Sequence, residues 1–550
     1  MGPVTAYRGK QVLILGVLGH AGRMSDDGSS ADKASAADSA HAPERTDAAA
    51  TGKTDATGAA ATGKTDAADA TDAGAVTEKA DAAAAEKAGP AAPEKAGPVD
   101  KGAQTLVILG ASGDLTGRLL LPGLGALVAA GEAPPLTLIG AGMDDWDAQK
   151  WRERVTGAFP ESPAGKTVID GTRYVRADVT RSEDLRGLLE GADRPVIFFA
   201  LPPAVTAKAC EALLDVDLPD GTRLVLEKPF GTGANSAAAL NRLLTRLVPE
   251  ERIHRVDHFL GKSTVLNILG LRFANRIFEP LLGSEHVESV DIIFDENLGL
   301  ENRAGYYDRA GALADMIQSH LLQILALLSM EPPTSLDPQD FRDRTAEALR
   351  ATRLWGGDPK TASLRARYTA GDLDGRQLPA YADEAGVDPS RETETLAELV
   401  LAVDTWRWAG VPFRLRSGKA VGSSRKEAII TFKEPPRLPT GLHGPERPNR
   451  LRIGFGPDRF ALDFTVNGPG DPFELDPVTL ETDFGPGDLP PYGEVLHGVF
   501  DDDPLLSVRG DTAEQCWRIV EPVTAAWRDG QVPLVEYPAG SAGPAETLLQ

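Results

Sequence analysis

A short run at residues 255–262, R-V-D-H-F-L-G-K, places a carboxylate, an imidazole and an amine close together. His258 and Lys262 are cationic donors of the kind that hold an anion, and phosphate fits such a pair best. Asp257 beside them supplies a negative charge that keeps a neighbouring group protonated. An Asp-His pair is also a common structural hydrogen bond, so this segment alone leaves a phosphate site and a structural contact open.

A second run, G-A-L-A-D-M-I-Q-S-H at 311–320, leads into a Leu-rich helix. Asp315 and Gln318 have the spacing of a capping box, which makes a helix N-cap the structural alternative for Asp315. The structural alternative for His320 is a buried core histidine. In a regular α-helix the side chains of Asp315 and His320 would point about 140° apart, so they could share only a ligand that covers the start of the helix.

Lys228 belongs to a third run, E-K-P-F-G at 227–231, and follows the apolar strand 224–226. That position is the carboxyl edge of a predicted parallel sheet, where doubly wound folds bind their ligands. A surface lysine is the structural alternative.

A glycine turn, G-A-S-G-D-L at 110–115, lies between an apolar strand and a helical stretch. Main-chain amides and a helix N-terminus in this context receive the pyrophosphate of a dinucleotide. The spacing is not G-x-G-x-x-G, so the residues by themselves fit a plain tight turn equally well. A similar pattern at 11–22 is interpreted as a decoy, because a polar tail follows it where a crossover helix is required.

The chain divides into three regions by its sequence pattern. Residues 1–103 are mostly Ala, Asp, Thr, Lys and Gly, and they are predicted to form a low-complexity, mostly disordered extension. Strands alternate with helices over 104–256, which predicts a Rossmann-type dinucleotide-binding α/β domain with a parallel sheet. Residues 257–550 combine a Leu-rich helix with alternating strands punctuated by Gly and Pro, which predicts an α+β domain with a large, mainly antiparallel sheet.

The amino-acid composition limits which partners and binding sites the protein could have. The 57 basic and 81 acidic residues give a formal net charge of -24, which argues against nucleic acid and anionic membranes. Cys210 and Cys516 are far apart in the sequence, so neither a disulfide framework nor a cysteine-rich zinc site is predicted, and no metal is expected. No uninterrupted apolar run reaches about 18 residues, and we expect a cytoplasmic protein.

These runs, taken together and in the order in which they follow one another along the chain, resemble the glucose-6-phosphate dehydrogenase family. R-F-A-N-R-I-F at 272–278, W-R-W-A-G-V-P-F at 406–413 and Y-P-A-G-S-A-G-P at 537–544 are also similar to it, and the resemblance covers residues 106–544. It implies oxidation of D-glucose 6-phosphate to 6-phosphogluconolactone, the first step of the pentose phosphate pathway, with hydride transfer to NADP. It also implies a homodimer or homotetramer joined through the sheet of the second domain.

The resemblance assigns roles to single residues. His320 is implied as the catalytic base that takes the proton of the anomeric hydroxyl, and Asp257 as the residue that orients it. The implied substrate-binding residues are Lys228, His258, Lys262, Glu296, Asp315, Lys419 and Arg425, with His258 and Lys262 on the phosphate. The implied cofactor-binding residues are Gly110, Ser112, Gly113, Asp114, Leu115, Phe198 and Lys228, with Lys228 between sugar and nicotinamide. Phe198 fits an ordinary strand end as well, and the basic run at 416–426 fits a solvated loop.

Four positions depart from the family pattern. Phe259 stands where a tyrosine normally contacts the phosphate, which removes a hydrogen bond on the order of 1 kcal/mol. Ser263 replaces a glutamate, and Gly456 replaces a glutamine that contacts the sugar. After the second strand, Met143-Asp144-Asp145 stands where an arginine usually pairs with the 2′-phosphate of the cofactor.

The acidic run 143–145 leaves the cofactor open between NADP and NAD. A carboxylate there repels a 2′-phosphate and can accept a hydrogen bond from a free ribose hydroxyl. Arg118 is an alternative source of positive charge for the phosphate. Two other functions stay open as well: an oxidoreductase on another pyranose, and a regulatory paralogue that binds a sugar phosphate without turnover.

Overall fold

The computed structural model describes residues 102–301, 303–444, 447–468, 470–485 and 487–548. The predicted disordered extension, apart from its last two residues, and the decoy glycine run at 11–22 lie outside the described residues. The predicted domain boundaries at 104 and 257 stay predictions.

The first part of the described chain is a parallel sheet flanked by helices. Its strands are β1 (Gln104–Leu109), β2 (Leu136–Gly142), β3 (Arg173–Arg176), β4 (Val196–Phe199), β5 (Arg223–Glu227) and β6 (Ile253–Val256). Its helices are α1 (Leu121–Ala129), α2 (Ala148–Ala158), α3 (Pro163–Gly171), α4 (Ser182–Leu189), α5 (Pro203–Leu213) and α6 (Ala234–Leu247), and a π-helical turn, Thr116–Leu120, precedes α1.

Among the described residues this sheet has six strands in the order β3-β2-β1-β4-β5-β6, all parallel. It is the order of the Rossmann fold, so the predicted fold class of this part is confirmed. The central strands β1 and β4 are buried along their whole length, as expected for a sheet with helices on both faces. Such a sheet brings the ends of β5 and β6, and with them Lys228 and Asp257, to one edge.

The second part of the chain is helices and a larger sheet. Its helices are α7 (Ser263–Phe273), α8 (Ala304–Ala312), α9 (Leu322–Ser329), α10 (Pro338–Ala351), α11 (Pro359–Ala362), α12 (Pro491–Phe500) and α13 (Gly510–Arg528). Its strands are β7 (Val287–Asp295), β8 (Thr352–Leu354), β9 (Ser363–Thr369), β10 (Gly371–Leu373), β11 (Arg376–Leu378), β12 (Leu396–Val403), β13 (Pro412–Gly418), β14 (Arg425–Phe432), β15 (Arg450–Phe455), β16 (Asp458–Asn467), β17 (Leu475–Asp483) and β18 (Leu534–Pro538).

Ten of these strands, within the part of the chain that is described, form one mixed sheet in the order β17-β16-β15-β14-β7-β13-β12-β9-β18, with β8 on β12. The β7–β13 and β9–β18 pairs are parallel and the others antiparallel. This confirms the large, mainly antiparallel sheet that the sequence predicts. The short hairpin of β10 and β11 stands apart.

Two helices from the C-terminal part of the chain pack against the helices of the first sheet. Helix α12 packs on α1, and a Cβ on Gly123 would stand 2.7 Å from Cβ of Tyr492. Helix α13 packs on α6, and Nδ2 of Asn241 donates to the main-chain O of Gly510 (2.8 Å). The parallel sheet is therefore covered partly by residues from the far end of the chain, which brings Tyr492 to the sheet edge that carries Lys228.

One helical stretch in the described chain, Ala304–Ser329, is long and apolar enough to cross a membrane by length and composition. Of its apolar window, 78% is buried inside the protein. This stretch includes His320, and its burial is that of a core helix of the protein.

Candidate active site

His320 lies in a π-helical segment, Leu313–Leu321, between α8 and α9. A π-helix closes hydrogen bonds between residues five apart, so side chains five apart lie on nearly the same side. A regular α-helix, assumed from the sequence, would have turned Asp315 and His320 away from each other. The π-helical winding removes that obstacle, and both side chains can face one ligand.

His320 and Asp257 form a buried hydrogen-bonded pair. Nδ1 of His320 bonds Oδ1 of Asp257, and the two residues are 1% and 2% exposed. The same carboxylate oxygen accepts from the main-chain N of Phe259 (3.0 Å). Since Nδ1 is committed to the carboxylate, Nε2 is the nitrogen of His320 left to accept a proton.

The ionisation of the pair follows from its burial and its contacts. Burial lowers the pKa of His320, and Asp257 opposes this without cancelling it. Burial disfavours the charged form of Asp257, but its contacts with His320 and His258 outweigh that and leave the pKa of the carboxyl lowered. The resting pair is thus a carboxylate and a neutral imidazole, which is the state a general base requires.

Aromatic rings enclose His320. The Phe259 ring stacks on it with centroids 4.0 Å apart and planes 15° apart. The His258 ring meets it edge-on at 4.7 Å, and Tyr492 stacks on His258 at 5.9 Å. The imidazole is fixed by packing as well as by its hydrogen bond.

Lys228 and Asp315 form the next pair beside the base. Nζ of Lys228 donates to Oδ1 (2.9 Å) and to the main-chain O (2.6 Å) of Asp315. The Tyr306 hydroxyl donates to the same Oδ1 (3.2 Å). Burial acts against the charged form of Asp315, but Lys228 outweighs it and lowers the pKa of that carboxyl.

The predicted phosphate binders lie beside the base. Nζ of Lys262 donates to the main-chain O of Phe455 (3.2 Å) and lies 4.7 Å from the Phe259 ring centroid. Burial lowers the pKa of Lys262. Burial, followed by the effect of His320, lowers the pKa of His258 to about 3. His258 was expected to be a cation, but burial leaves it neutral near pH 7, so Lys262 carries the positive charge of this pair.

The predicted sugar binders are only partly brought together. Nζ of Lys419 pairs with Oε2 of Glu296 (2.8 Å). Nζ of Lys426 lies 3.9 Å from Oε1 of Glu296, although the sequence singled out its neighbour Arg425. Arg425 is 44% exposed and pairs with Glu427 (3.3 Å). Adjacent residues of a strand point to opposite faces, so β14 turns Lys426 rather than Arg425 toward Glu296.

The glycine turn fits a dinucleotide. Gly110 has φ +88°, and a Cβ there would stand 2.3 Å from the main-chain O of Ala200, so only glycine fits. The N–H of Gly113 donates to the main-chain O of Gly110 (3.0 Å), which closes the turn. Asp114 pairs with Arg118 (3.2 Å) on the surface. A tight turn after a buried strand is the context that the sequence predicts, and its role in holding a pyrophosphate stays a prediction.

The two apolar residues assigned to the cofactor differ in exposure. Leu115 is partly buried and packs against the core around α1. Phe198 is 0% exposed in the same core. Its side chain is part of the hydrophobic core around α1, so the structure favours the alternative of an ordinary strand end.

Asp257, His258 and His320 offer ligand atoms within 4.8 Å of one another, a spacing that a metal ion could use. The sequence predicts no metal, and that stays a prediction. Asp257 also lines a cavity of about 10 Å³ with Gln323 and Cys516, on the order of the room that one water molecule needs.

The sequence interpretation missed two residues at this site. The Tyr492 hydroxyl donates to Oε1 of Glu227 (3.1 Å), next to Lys228. Burial raises the pKa of Glu227 to about 7. Glu227 could have been found from its place in E-K-P, but Tyr492 lies 265 positions away and no local signal marks it.

Comparison with known proteins settles the family. The profile described as "Glucose-6-phosphate dehydrogenase, NAD binding domain" matches residues 107–267, and that described as "Glucose-6-phosphate dehydrogenase, C-terminal domain" matches residues 269–549. The chain belongs to the glucose-6-phosphate dehydrogenase family. It is accordingly an oxidoreductase of glucose metabolism that uses a nicotinamide nucleotide.

Individual members of the glucose-6-phosphate dehydrogenase family are similar over most of the chain. The glucose-6-phosphate 1-dehydrogenase of Gluconobacter oxydans is 39% identical over 80% of this chain and 94% of its own length. That of Treponema pallidum is 36% identical over 81% and 93%. These identities extend across both profile matches, so the resemblance is not limited to the nucleotide-binding part.

Solved structures of the glucose-6-phosphate dehydrogenase family share the fold. A glucose-6-phosphate dehydrogenase in complex with its substrate glucose-6-phosphate is 27% identical, with a TM-score of 0.73 over 80% of this chain and 95% of its own. The glucose-6-phosphate 1-dehydrogenase of Mycobacterium avium is 32% identical, with a TM-score of 0.71 over the same shares.

Proposed function

We propose that the protein oxidises D-glucose 6-phosphate to 6-phosphogluconolactone with hydride transfer to a nicotinamide dinucleotide. The observation that carries this is the buried His320–Asp257 pair, with Lys228 and Asp315 on one side and Lys262 on the other. A neutral base next to one lysine for the sugar and another for the phosphate is what this reaction needs. Membership of the family supports the choice of substrate.

The chain's own residues do the proton chemistry. Nε2 of His320 takes the proton of the anomeric hydroxyl, the C1–H bond gives up its hydride, and the C1–O bond becomes the lactone carbonyl. Asp257 stabilises the imidazolium that forms at His320. The nicotinamide, when bound, supplies the acceptor for the hydride. Removing the proton raises the electron density on oxygen, which favours hydride departure.

Binding is divided among the flanking groups. Lys262, with an N–H from His258, holds the phosphate, and Glu296 with Lys419 meets the sugar hydroxyls. Asp315 and Lys228 bind the sugar next to C1, with Lys228 reaching toward the nicotinamide. Lys228 pairs with Asp315 and Lys419 pairs with Glu296, so the sugar exchanges existing contacts of these four residues instead of meeting unpaired charges.

The cellular location, the pathway, the nicotinamide cofactor and the oligomeric state are proposed from the family resemblance. We propose a cytoplasmic enzyme that catalyses the first step of the pentose phosphate pathway. The resemblance implies NADP as the acceptor, with NAD as the alternative, because the usual arginine is absent after β2. It also implies a homodimer or homotetramer through the large sheet. The exposed Leu480 (58%) and Phe484 (40%) on and just after β17 support that assembly.

The test is spectrophotometric. The purified protein is given glucose 6-phosphate or unphosphorylated glucose with NAD+ or NADP+, and absorbance of the reduced nicotinamide is followed. We expect turnover with the phosphate ester at far lower substrate concentration than with glucose. Equal turnover of glucose would favour another pyranose oxidoreductase, and no turnover with either nucleotide would favour the regulatory paralogue.

A further inference from the structure

The loop after β2 presents acidic side chains to the glycine turn. β2 ends at Gly142, and Met143, Asp144 and Asp145 follow it. Oγ of Ser112, in the glycine turn, donates to Oδ2 of Asp144. The Tyr174 hydroxyl donates to the main-chain O of Asp144 (3.1 Å). The Asp144 side chain is thus bonded to the glycine turn, and its backbone is bonded to Tyr174 of β3.

In a doubly wound fold, the residue that follows the second strand faces the adenosine ribose of a bound dinucleotide. A carboxylate there accepts hydrogen bonds from the free 2′-hydroxyl of NAD. A 2′-phosphate has no such donor at neutral pH and brings two like charges to the same place. Asp144, which is bonded to Ser112, lies at the position that distinguishes a ribose 2′-hydroxyl from a 2′-phosphate.

The neighbouring cations are already engaged. Arg176 pairs with Asp145 (3.4 Å), and Nη2 of Arg154 donates to the main-chain O of Gly113. Lys150 lies 4.5 Å from the Trp146 ring centroid.

Arg118, the alternative cation weighed from the sequence, pairs with Asp114 (3.2 Å). Met143, next to Asp144, is 60% exposed and neutral. A 2′-phosphate would have to draw one of these cations out of its contact while facing Asp144.

We propose that Asp144 makes this protein select NAD+ over NADP+ as its hydride acceptor. The inference rests on the proposed function, because it concerns the cofactor of that same site. Asp144 and Ser112 form the hydrogen-bonding surface for the ribose hydroxyls, and Met143 leaves the position beside them without the charge that a 2′-phosphate requires.

The test measures binding and turnover separately. Fluorescence titration gives the Kd of NADH and NADPH, and initial rates give kcat/KM for NAD+ and NADP+ with glucose 6-phosphate. For the wild type we expect both ratios to favour the nucleotide without the 2′-phosphate by roughly tenfold or more. In the double variant Met143→Arg/Asp144→Ser we expect the preference to reverse, mainly through tighter NADPH binding.

The matched control is Asp147→Ser, which removes one negative charge from the same loop. Asp147 caps α2 by accepting from the main-chain N of Lys150 (2.7 Å), and serine caps equally well. Its binding ratio should stay within about twofold of wild type.

A wild type that binds NADPH as tightly as NADH, or more tightly, would overturn the inference about Asp144. So would a double variant that keeps the wild-type ratio. Either result leaves the proposed function standing if glucose 6-phosphate is still oxidised. If NADH binds more tightly than NADPH but neither nucleotide is reduced with glucose 6-phosphate, the proposed function fails and the cofactor assignment stands.

Discussion

At the scale of single residues, the surroundings of His320 leave it one free chemical function. Nδ1 is bonded to Asp257, one ring face is covered by Phe259, and one edge meets His258. What remains is a neutral Nε2 on a side chain that is almost fully buried. Phe259 packs its ring on His320 but has no hydroxyl to offer a ligand.

We expect His320→Ala to lower kcat by roughly 100-fold or more, the usual contribution of a general base. The KM for glucose 6-phosphate should change little, because Lys262, Glu296 and Asp315 remain. Initial-rate kinetics measure both. His286→Ala, in which an imidazole of 42% exposure before β7 is removed, is the control and should keep the wild-type rate. A His320 variant with near-normal kcat would refute the base assignment.

The acid side of the pH profile should lie below pH 6.5, the ordinary pKa of histidine. Burial lowers the pKa of His320, so the imidazole stays neutral and able to accept a proton at pH values at which an ordinary histidine is already protonated. Asp257 acts to raise that pKa. Asp257→Asn should therefore move the acid limb of kcat/KM to still lower pH, while lowering kcat. If the acid limb of Asp257→Asn moved to higher pH, the assignment of Asp257 as the partner of His320 would be contradicted.

At the scale of elements, the helix that carries Asp315 and His320 depends on a break at its start. Gly311, the next-to-last residue of α8, has φ 66° and ψ 176° just before the π-helical segment, a conformation essentially restricted to glycine. Oε1 of Glu394 accepts from the main-chain N of Leu313 (3.0 Å) and caps the segment. Burial raises the pKa of Glu394 to about 7.

Gly311→Ala should destabilise the protein by about 1–3 kcal/mol and lower kcat. A Cβ at Gly311 would stand 2.2 Å from Oε1 of Glu394, so the cap must move and the helix with it. Urea unfolding gives the free energy of unfolding. Gly305→Ala, also in α8, is the control, because a Cβ there meets nothing within 4 Å. If Gly311→Ala and Gly305→Ala had the same free energy of unfolding, the backbone conformation of Gly311 would not be needed to position the π-helical segment.

At the scale of the whole molecule, the large sheet leaves apolar surface at its β17 end. Phe460, Leu462 and Phe464 alternate along one face of β16, and the register places Leu480 of β17 opposite Leu462. Leu480 is 58% exposed, and Phe484 packs edge-on against Phe460. Phe460 and Leu462 pack partly against the core, so the exposed apolar side chains among these are Leu480 and Phe484. Exposed apolar side chains that lie close together are typical of an interaction surface, which is compatible with the proposed oligomer.

Leu480→Glu should shift the assembly toward monomer, because a charge would be buried at the interface without a partner. Light scattering after size-exclusion chromatography measures the mass over a range of protein concentrations. Leu336→Glu makes the same change at a side chain of equal exposure (59%) before α10, and it should leave the mass unchanged. An unchanged mass in both variants would remove β17 from the interface.

Much of the fold could be predicted because the signals that form its elements are local. Apolar strand runs such as 196–199 and 224–226, separated by helical stretches, lie in the parallel sheet, and the alternating segment 460–466 lies in β16. The residues of the candidate site could be named because their types and spacing match a family. Their contacts could not be predicted, since those depend on segments far apart in the sequence.

The sequence by itself determined which side chains were available: a base, its carboxylate, two lysines and a glycine-containing turn. Tertiary structure decided which of them meet. Packing wound the segment of Asp315 and His320 as a π-helix, buried Phe198, turned Lys426 instead of Arg425 inward and brought Tyr492 to Glu227. The physical reason is that the pattern of apolar and polar residues that forms a helix or strand is local in the sequence. Which side chains are buried, and which face of a strand meets the core, depends on packing against segments that are distant in the sequence.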